Sequence, residues 1–372
     1  MKLPIAKIEI LDQDIQRVNE VLKSGWIMQG PRVEEFEQAV ARFCEVPHAI
    51  ATSSGTTALH LALEAIGITA GDEVIVPSFS WIASANSIRY CNATPVFCDV
   101  DPETYNMSPE AVQSLVTSRT KAILIVHQFG MPCDLEGFAK IAQRHQIQLI
   151  EDAACAIGSL YRNEPIGNCR YTRASCLSFH PRKVVTTGEG GMILTHDKDL
   201  AEKVKSLRSH GMSVNPPSDS FPNVGYNYRM TDMQAALGIG QIHRLPSTIQ
   251  KRRLLAQMYH KFLSKHSDIL LPREPDGVQS NFQSYMIRFK GPVAAKRDHI
   301  AAGLANLGIA SRKSIAPIHQ QPCYASANHV ELPQTDRLFL EGLVLPLFGE
   351  MDEKSVHYVC EGLAQVVKNV CK

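Results

Sequence analysis

Short apolar runs alternate with amphipathic stretches through the first two-thirds of the chain. "VEEFEQAVARF" from Val33 carries apolar positions at helical spacing, and "AIATSS" from Ala49 reads as a strand feeding a helix, "TTALHLALEAIG" from Thr56. "EVIVP" from Glu73, "TPVFCDV" from Thr94, "KAILIV" from Lys121 and "IQLIEDA" from Ile147 are short β-rich runs bounded by polar or turn residues. "LEGFAKIAQRH" between the last two is helical, and "SCLSFH" and "GGMILTHD" add two more strands. Strands alternating with helices predict an α/β fold whose mainly parallel sheet is covered on both faces. In such sheets a ligand sits beyond the carboxyl ends of the strands.

Past Thr231 the pattern changes. "TDMQAALGIGQIHRL" is a long helical run that Pro246 interrupts, and "TIQKRRLLAQMYHKFLSKH" resumes it. A strand, "SYMIRF" from Ser284, a helix, "KRDHIAAGLANLG" from Lys296, and a closing helix after Met351 predict a compact α/β lobe. The expected division is therefore 1–245 for a large domain and 246–372 for a small one. A length of 372 residues suits two such units.

Composition changes this picture little. The chain is 44% hydrophobic and 20% charged, as in a globular protein with a large interior. A net charge of +1 gives no reason to expect a nucleic-acid or membrane-surface partner. The start, "MKLPIAKIEILDQDIQRV", is charged throughout, and no apolar run approaches the ~20 residues that span a bilayer, so a cytoplasmic protein is expected. Ten cysteines (Cys44, Cys91, Cys98, Cys133, Cys155, Cys169, Cys176, Cys323, Cys360 and Cys371) are scattered without CxxC spacing and read as small buried hydrophobes. His127, His180, His210 and His319 are equally dispersed, so no metal is expected.

The strand ends hold the candidate chemistry. Ser54, Gly55 and Thr56 lie where a strand turns into a helix, and backbone N–H groups there suit a phosphate. Thr56 as a simple helix cap is the blander alternative, and the better one when the stretch is read alone. Trp81 follows "EVIVP", where its ring could stack on a planar ligand or pack between helix and sheet. Asp152 ends an apolar strand, a costly place for a carboxylate without a partner. It could hold a protonated pyridine nitrogen, or cap the next helix. Lys183, in "SFHPRKVVTTGEGG" from Ser178, lies in a loop between strands on the ligand side. A lysine desolvated there becomes a nucleophile toward an aldehyde. Ser178 adds a hydroxyl for a phosphate, and the glycines from Gly188 let the chain turn back into the sheet, while Glu189 reads as structural. Together these groups are the equipment pyridoxal phosphate requires.

Those residues sit in segments that resemble the DegT/DnrJ/EryC1/StrS sugar aminotransferases over nearly the whole length. The matching segments include "SGWIMQGPRVEEFE" from Ser24, "SSGTTALHLAL" from Ser53, "PSFSWIASANSI" from Pro77, "VHQFGMPCDL" from Val126, "EDAACAIGS" from Glu151, "SFHPRKVVTTGEGG", "GYNYRMTDMQAALG" from Gly225 and "PIHQQP" from Pro317. The resemblance implies the fold-type I architecture of aspartate aminotransferase: a mainly parallel seven-stranded sheet between helices, plus a smaller C-terminal α/β domain. It implies Lys183 as the lysine that bonds the cofactor aldehyde and then moves the proton, and Asp152 as partner of the pyridine nitrogen. Trp81 would stack on the ring, and Gly55, Thr56 and Ser178 would bind the phosphate. Asn227 would reach the phosphate in a neighbouring subunit, making a homodimer with shared sites. Arg229 and His319 would line the substrate side.

One departure is visible: Cys155 stands where many relatives have Gln, Glu or His. A thiol is a weaker partner for the cofactor's ring hydroxyl. Ser80 replaces a more usual Thr and keeps a hydroxyl. The activity implied is ping-pong transfer of an amino group from L-glutamate to a nucleotide-linked keto sugar. The wording of "SFSWIASANSI" and "SFHPRK" looks closest to perosamine-type enzymes acting at C4 of 4-keto-6-deoxy sugars, for surface polysaccharide. Alternatives are a 3-keto sugar or cyclitol as acceptor, and a non-catalytic or regulatory protein on the same fold. A pyridoxamine-dependent dehydratase would have His in place of Lys183.

Overall fold

The computed structural model describes residues 2–214, 219–327 and 330–370. In chain order its strands are β1 (His48–Thr52), β2 (Glu73–Pro77), β3 (Thr94–Cys98), β4 (Thr120–Val126) and β5 (Gln148–Asp152), then the short pair β6 (Leu160–Tyr161) and β7 (Glu164–Pro165), then β8 (Ala174–Ser178) and β9 (Gly191–Thr195). The C-terminal part adds β10 (Ile269–Leu270), β11 (Val278–Gln279), β12 (Tyr285–Phe289), β13 (Arg312–Lys313) and β14 (Gly342–Leu345). Seven of them form the central sheet, in the order β1-β9-β8-β5-β4-β2-β3. Only β9 runs antiparallel to its neighbours β1 and β8, so the sheet is mainly parallel, as expected.

The apolar runs explain this layering. In β4, Ile123 and Ile125 enter one core, while Ala122 and Leu124 face a second core on the other side. A strand buried on both faces needs an apolar residue at every position, which "AILI" supplies. Helices Pro31–Phe43 and Leu135–His145 cover the first face, and Gly55–Ala65 and Lys198–Arg208 the second.

A third core, built around Tyr259, Tyr285, Phe289 and Leu363, lies in the C-terminal lobe under the antiparallel sheet β10-β12-β14-β13. One sequence expectation needs correcting here. Pro246 does not interrupt the helical run: a single helix spans Asp232–Leu263 with the proline inside it. A proline forfeits only its own donor, and the hydroxyls of Ser247 and Thr248 both donate to the Arg244 carbonyl across that turn. The expected boundary at 245/246 thus falls inside a helix shared by both lobes. The beginning of the chain also belongs with its end, because Leu3 exchanges backbone hydrogen bonds with Gly308 and Ala310 and packs in the third core. In return, β11 pairs with β6 beside the large sheet.

Seven cysteines (Cys44, Cys91, Cys98, Cys133, Cys169, Cys176 and Cys360) are buried and free, as small hydrophobes would be. Cys155 is half-buried and Cys323 exposed, departing from that expectation, and Cys371 lies outside the described residues. Among the described residues no helix is long and apolar enough to cross a membrane.

Candidate active site

The carboxyl ends of β1, β2, β4, β5 and β8 open together into a cavity of about 400 Å³. Gly55, Thr56, Trp81, Asp152, Cys155, Ser178 and Lys183 all line it. Each stands at or just after the end of a parallel strand, so the sheet topology brings together residues far apart in sequence.

At the end of β1 the helix cap is Ser54, not Thr56. Ser54 Oγ accepts the Thr57 N–H at 3.1 Å, and Thr57 Oγ1 accepts the Ser54 N–H at 3.0 Å. That reciprocal box leaves Thr56 on the cavity wall. Gly55 lies against the end of β8, where an added Cβ would come within 2.7 Å of the Ser178 Cβ. The absence of a side chain lets the helix N-terminus and the Ser178 hydroxyl share one small cradle. Backbone N–H groups, a helix dipole and two hydroxyls there fit a phosphate.

Asp152 is 5% exposed and accepts from Ser84 Oγ at 2.7 Å and from the Ala154 N–H at 3.1 Å. No helix follows it, so it is not a helix cap. Ser84 Oγ is in turn 2.9 Å from Ser80 Oγ, and both serines line the cavity. This buried carboxylate, held by neutral donors and with no cation paired to it among the described residues, fits a protonated ring nitrogen. Trp81 is 67% exposed, with no neighbour covering its indole among the described residues, so it is not packed between helix and sheet. It lines the cavity, where a planar ring could lie against it.

Lys183 follows the turn after β8, its N–H donating to the His180 carbonyl at 2.8 Å. Its Nζ lies 3.0 Å from Cys155 Sγ. Gly188, at φ +83°, turns the chain back toward β9, where an added Cβ on Gly191 would come within 2.2 Å of the Ser54 carbonyl oxygen. Glu189 holds this loop through its backbone carbonyl, which accepts from Thr187 Oγ1 and Gln234 Nε2.

Three expected residues lie elsewhere. His319 is 2% exposed and off the cavity wall: its Nδ1 is 2.7 Å from Ser78 Oγ, and its Nε2 is 3.6 Å from Asp336. Burial lowers its pKa, with Asp336 opposing the shift, so it ties the small lobe to the end of β2. Asn227 is exposed and pairs in an isolated bridge with Ser209, and Arg229 is half-buried; neither lines the cavity.

Sequence reasoning passed over Ser84, in the first turn of the helix Ala83–Tyr90, whose hydroxyl meets that of Ser80 in the loop before it. It also missed Gln283, Ser284 and Arg312, which reach the cavity from the C-terminal lobe. No local motif marks them. Burial holds the Arg312 guanidinium below its usual pKa, and Arg182 on the same wall lowers it further.

The cradle, the buried carboxylate, the exposed Trp81 and the single lysine on this wall are groups that fit pyridoxal phosphate. Residues 9–364 match the family model described as the DegT/DnrJ/EryC1/StrS aminotransferase family. The chain is 41% identical over 355 residues to GDP-perosamine synthase of Caulobacter vibrioides, covering 94% of each chain. It is 38% identical to a pleiotropic regulatory protein of Geobacillus stearothermophilus, covering 97% of this chain and 96% of that one. Among solved structures it is similar to NtdA from Bacillus subtilis with bound cofactor PMP, at a TM-score of 0.88 and 29% identity over 96% of this chain and 83% of that one. The chain therefore belongs to the DegT/DnrJ/EryC1/StrS aminotransferase family and uses pyridoxal phosphate to aminate a sugar.

Proposed function

We propose that this enzyme moves the amino group of L-glutamate to C4 of a nucleotide-linked 4-keto-6-deoxyhexose, making a perosamine-type amino sugar for surface polysaccharide. The observation that carries the reading is one cavity in which Lys183, Asp152 and the Gly55/Ser178 cradle meet. The similarity to a GDP-perosamine synthase supports C4 and makes a GDP-linked sugar the first to test.

When bound, the cofactor supplies an aldehyde that carries the amino group and a ring that withdraws electrons. Gly55, Thr56 and Ser178 would anchor its phosphate, and Asp152, oriented by Ser84, would hold the ring nitrogen. Trp81 would cover the ring. Lys183 Nζ would hold the aldehyde and, when free, would be the base that moves the proton. Cys155 Sγ lies 3.0 Å from that Nζ.

The division of the chain into two lobes joined by the helix Asp232–Leu263 belongs to the same reading: the large lobe holds the cofactor and the small lobe brings Gln283, Ser284 and Arg312 to it. Homodimerisation is the way Asn227, exposed and away from its own cavity, could serve a site. Exposed Trp26, Ile27, Met28 and Val224 supply apolar surface for such a contact. His319 would act on the substrate side only through the end of β2, which it holds, and Arg229 lies off its own cavity wall. The nine described cysteines are all free, in keeping with a reducing cytoplasm.

The test combines light absorption with product analysis. The purified protein should show the visible absorption of bound cofactor, L-glutamate should remove it, and a nucleotide-linked 4-keto-6-deoxy sugar should restore it and be aminated. Amination of a 3-keto sugar alone would overturn the C4 assignment. A Lys183→Ala protein that kept both the absorption and its response to glutamate would overturn the catalytic one. A chain that never responds to glutamate would fit the regulatory alternative, against which the retained Lys183 and Asp152 stand.

A further inference from the structure

Two nucleophiles face each other at the centre of the cavity. Cys155 Sγ and Lys183 Nζ are 3.0 Å apart, near the contact distance of the two atoms. The Cys155 backbone is held in place from behind, since Asn281 Nδ2 donates to the Cys155 carbonyl at 2.9 Å and to the Ile157 carbonyl at 2.9 Å. The sulfur opens onto a cavity large enough for a small oxidant, and Arg312 sets a cation in its electrostatic neighbourhood. No other described cysteine is so placed. Seven are buried: desolvation pushes the thiols of Cys44, Cys91, Cys98 and Cys360 up to about 12 and holds those of Cys133, Cys169 and Cys176 well above their ordinary value, while Cys323 is exposed but away from the cavity.

We propose that Cys155 and Lys183 form an oxidant-triggered covalent site, in which a hydroperoxide converts the pair into a sulfur–nitrogen bond that withdraws the lysine from catalysis. The chemistry balances in two steps. Hydrogen peroxide takes two electrons from the Cys155 sulfur, leaving a sulfenic acid and one water. The Lys183 nitrogen then attacks that sulfur; the S–O bond breaks, and the departing hydroxide leaves as water with a proton from nitrogen. Two equivalents of a thiol reverse the linkage, returning the Cys155 thiol and the Lys183 amine and forming the disulfide of the reductant. The bond needs a free lysine, so it forms while the amino group resides on the cofactor and is blocked while Lys183 holds the cofactor aldehyde. This timing rests on the proposed role of Lys183.

The experiment uses the cofactor-loaded enzyme, half of it left as prepared and half first converted with L-glutamate, each exposed to limiting hydrogen peroxide and mapped by peptide mass spectrometry. In the glutamate-treated sample the Cys155 and Lys183 peptides should appear joined, two hydrogens lighter than their sum, with trypsin no longer cutting after Lys183. Dithiothreitol should separate them and restore turnover. Cys155→Ser should abolish the joined species, Cys323→Ser should leave it, and Lys183→Ala should stop at a sulfenic acid that dimedone traps. An unlinked Cys155 in the glutamate-treated wild type, whether still a thiol or carried on to the sulfinic acid, would overturn the proposal. Equal linkage in the untreated sample would leave the bond standing and overturn Lys183 as the holder of the cofactor, so the two ideas fail separately.

Discussion

At Asp152 the sequence shows a carboxylate at the end of an apolar strand, and the structure supplies what makes it tolerable there: Ser84 Oγ at 2.7 Å and the Ala154 N–H at 3.1 Å. Ser84→Ala removes a donor to a buried charged group, which costs about 2 kcal/mol, roughly thirtyfold in an equilibrium constant. We expect the thermal midpoint of the cofactor-free protein to fall accordingly, and cofactor affinity, measured by titrating visible absorption, to fall by up to about that factor. Gly55→Ala should act differently. Its Cβ would stand 2.7 Å from the Ser178 Cβ, so cradle and fold must both shift, at a cost of about 1–3 kcal/mol in stability together with weaker cofactor binding. Calorimetry of the cofactor-free protein separates the two effects. The places of Lys183 and Asp152 on one cavity wall were legible from sequence, because each follows the end of a strand. His319 was not, because its burial against Ser78 depends on how the small lobe docks on β2.

Elements were legible where a single period dominates, as in β4 or the helix Leu135–His145, whose sequence expectation matches its observed span. The long helix shows where local rules stop. Pro246 reads as a break, yet the helix continues because tertiary packing on both sides outweighs one missing donor. The helix Asp12–Ser24 docks on it through one ion pair. Asp14, fully buried, accepts from Arg244 Nη2 at 2.8 Å, and Gly240 leaves the room, since a Cβ there would sit 2.0 Å from the Asp14 carboxylate. Burial alone would raise the Asp14 pKa, but the bonds from Arg244 and the Leu11 N–H outweigh it and hold the carboxyl below its ordinary value. A group whose folded pKa is depressed stabilises above the unfolded pKa and loses that contribution as pH falls through the folded one. Asp14→Asn should therefore lower stability by about 1–3 kcal/mol at neutral pH. The gap between wild type and variant in urea midpoint should close as the pH drops below the ordinary carboxylate range, and a gap independent of pH would rule out the ion pair as its source.

The molecule as a whole is more interlocked than its sequence suggests, because Leu3 is sewn into the C-terminal lobe and β11 into the large one. No composition shift marks such crossings; they are backbone pairings between distant segments. The crossing that bears on function is Arg252, buried on the long helix with no carboxylate paired to it among the described residues. Its guanidinium donates to the Phe282 carbonyl at 3.1 and 2.7 Å and to the Gln283 carbonyl at 2.7 Å, and burial lowers its pKa to about 10. These bonds hold a turn in which Phe282 has φ +48°, and the next two residues, Gln283 and Ser284, stand on the cavity wall. Gln283 Nε2 donates onward to the Arg182 carbonyl, one residue before Lys183. Arg252 is thus a positioning residue that acts through Gln283. Arg252→Met keeps the apolar stem and removes the fork, leaving two buried carbonyls without donors, a loss of about 2–4 kcal/mol in stability. The cofactor's cradle and carboxylate lie in the large lobe, so cofactor affinity should stay within about twofold, less than 1 kcal/mol, while turnover with the keto sugar falls much further. A parallel fall in cofactor affinity, turnover and thermal midpoint would reduce Arg252 to a part of the scaffold.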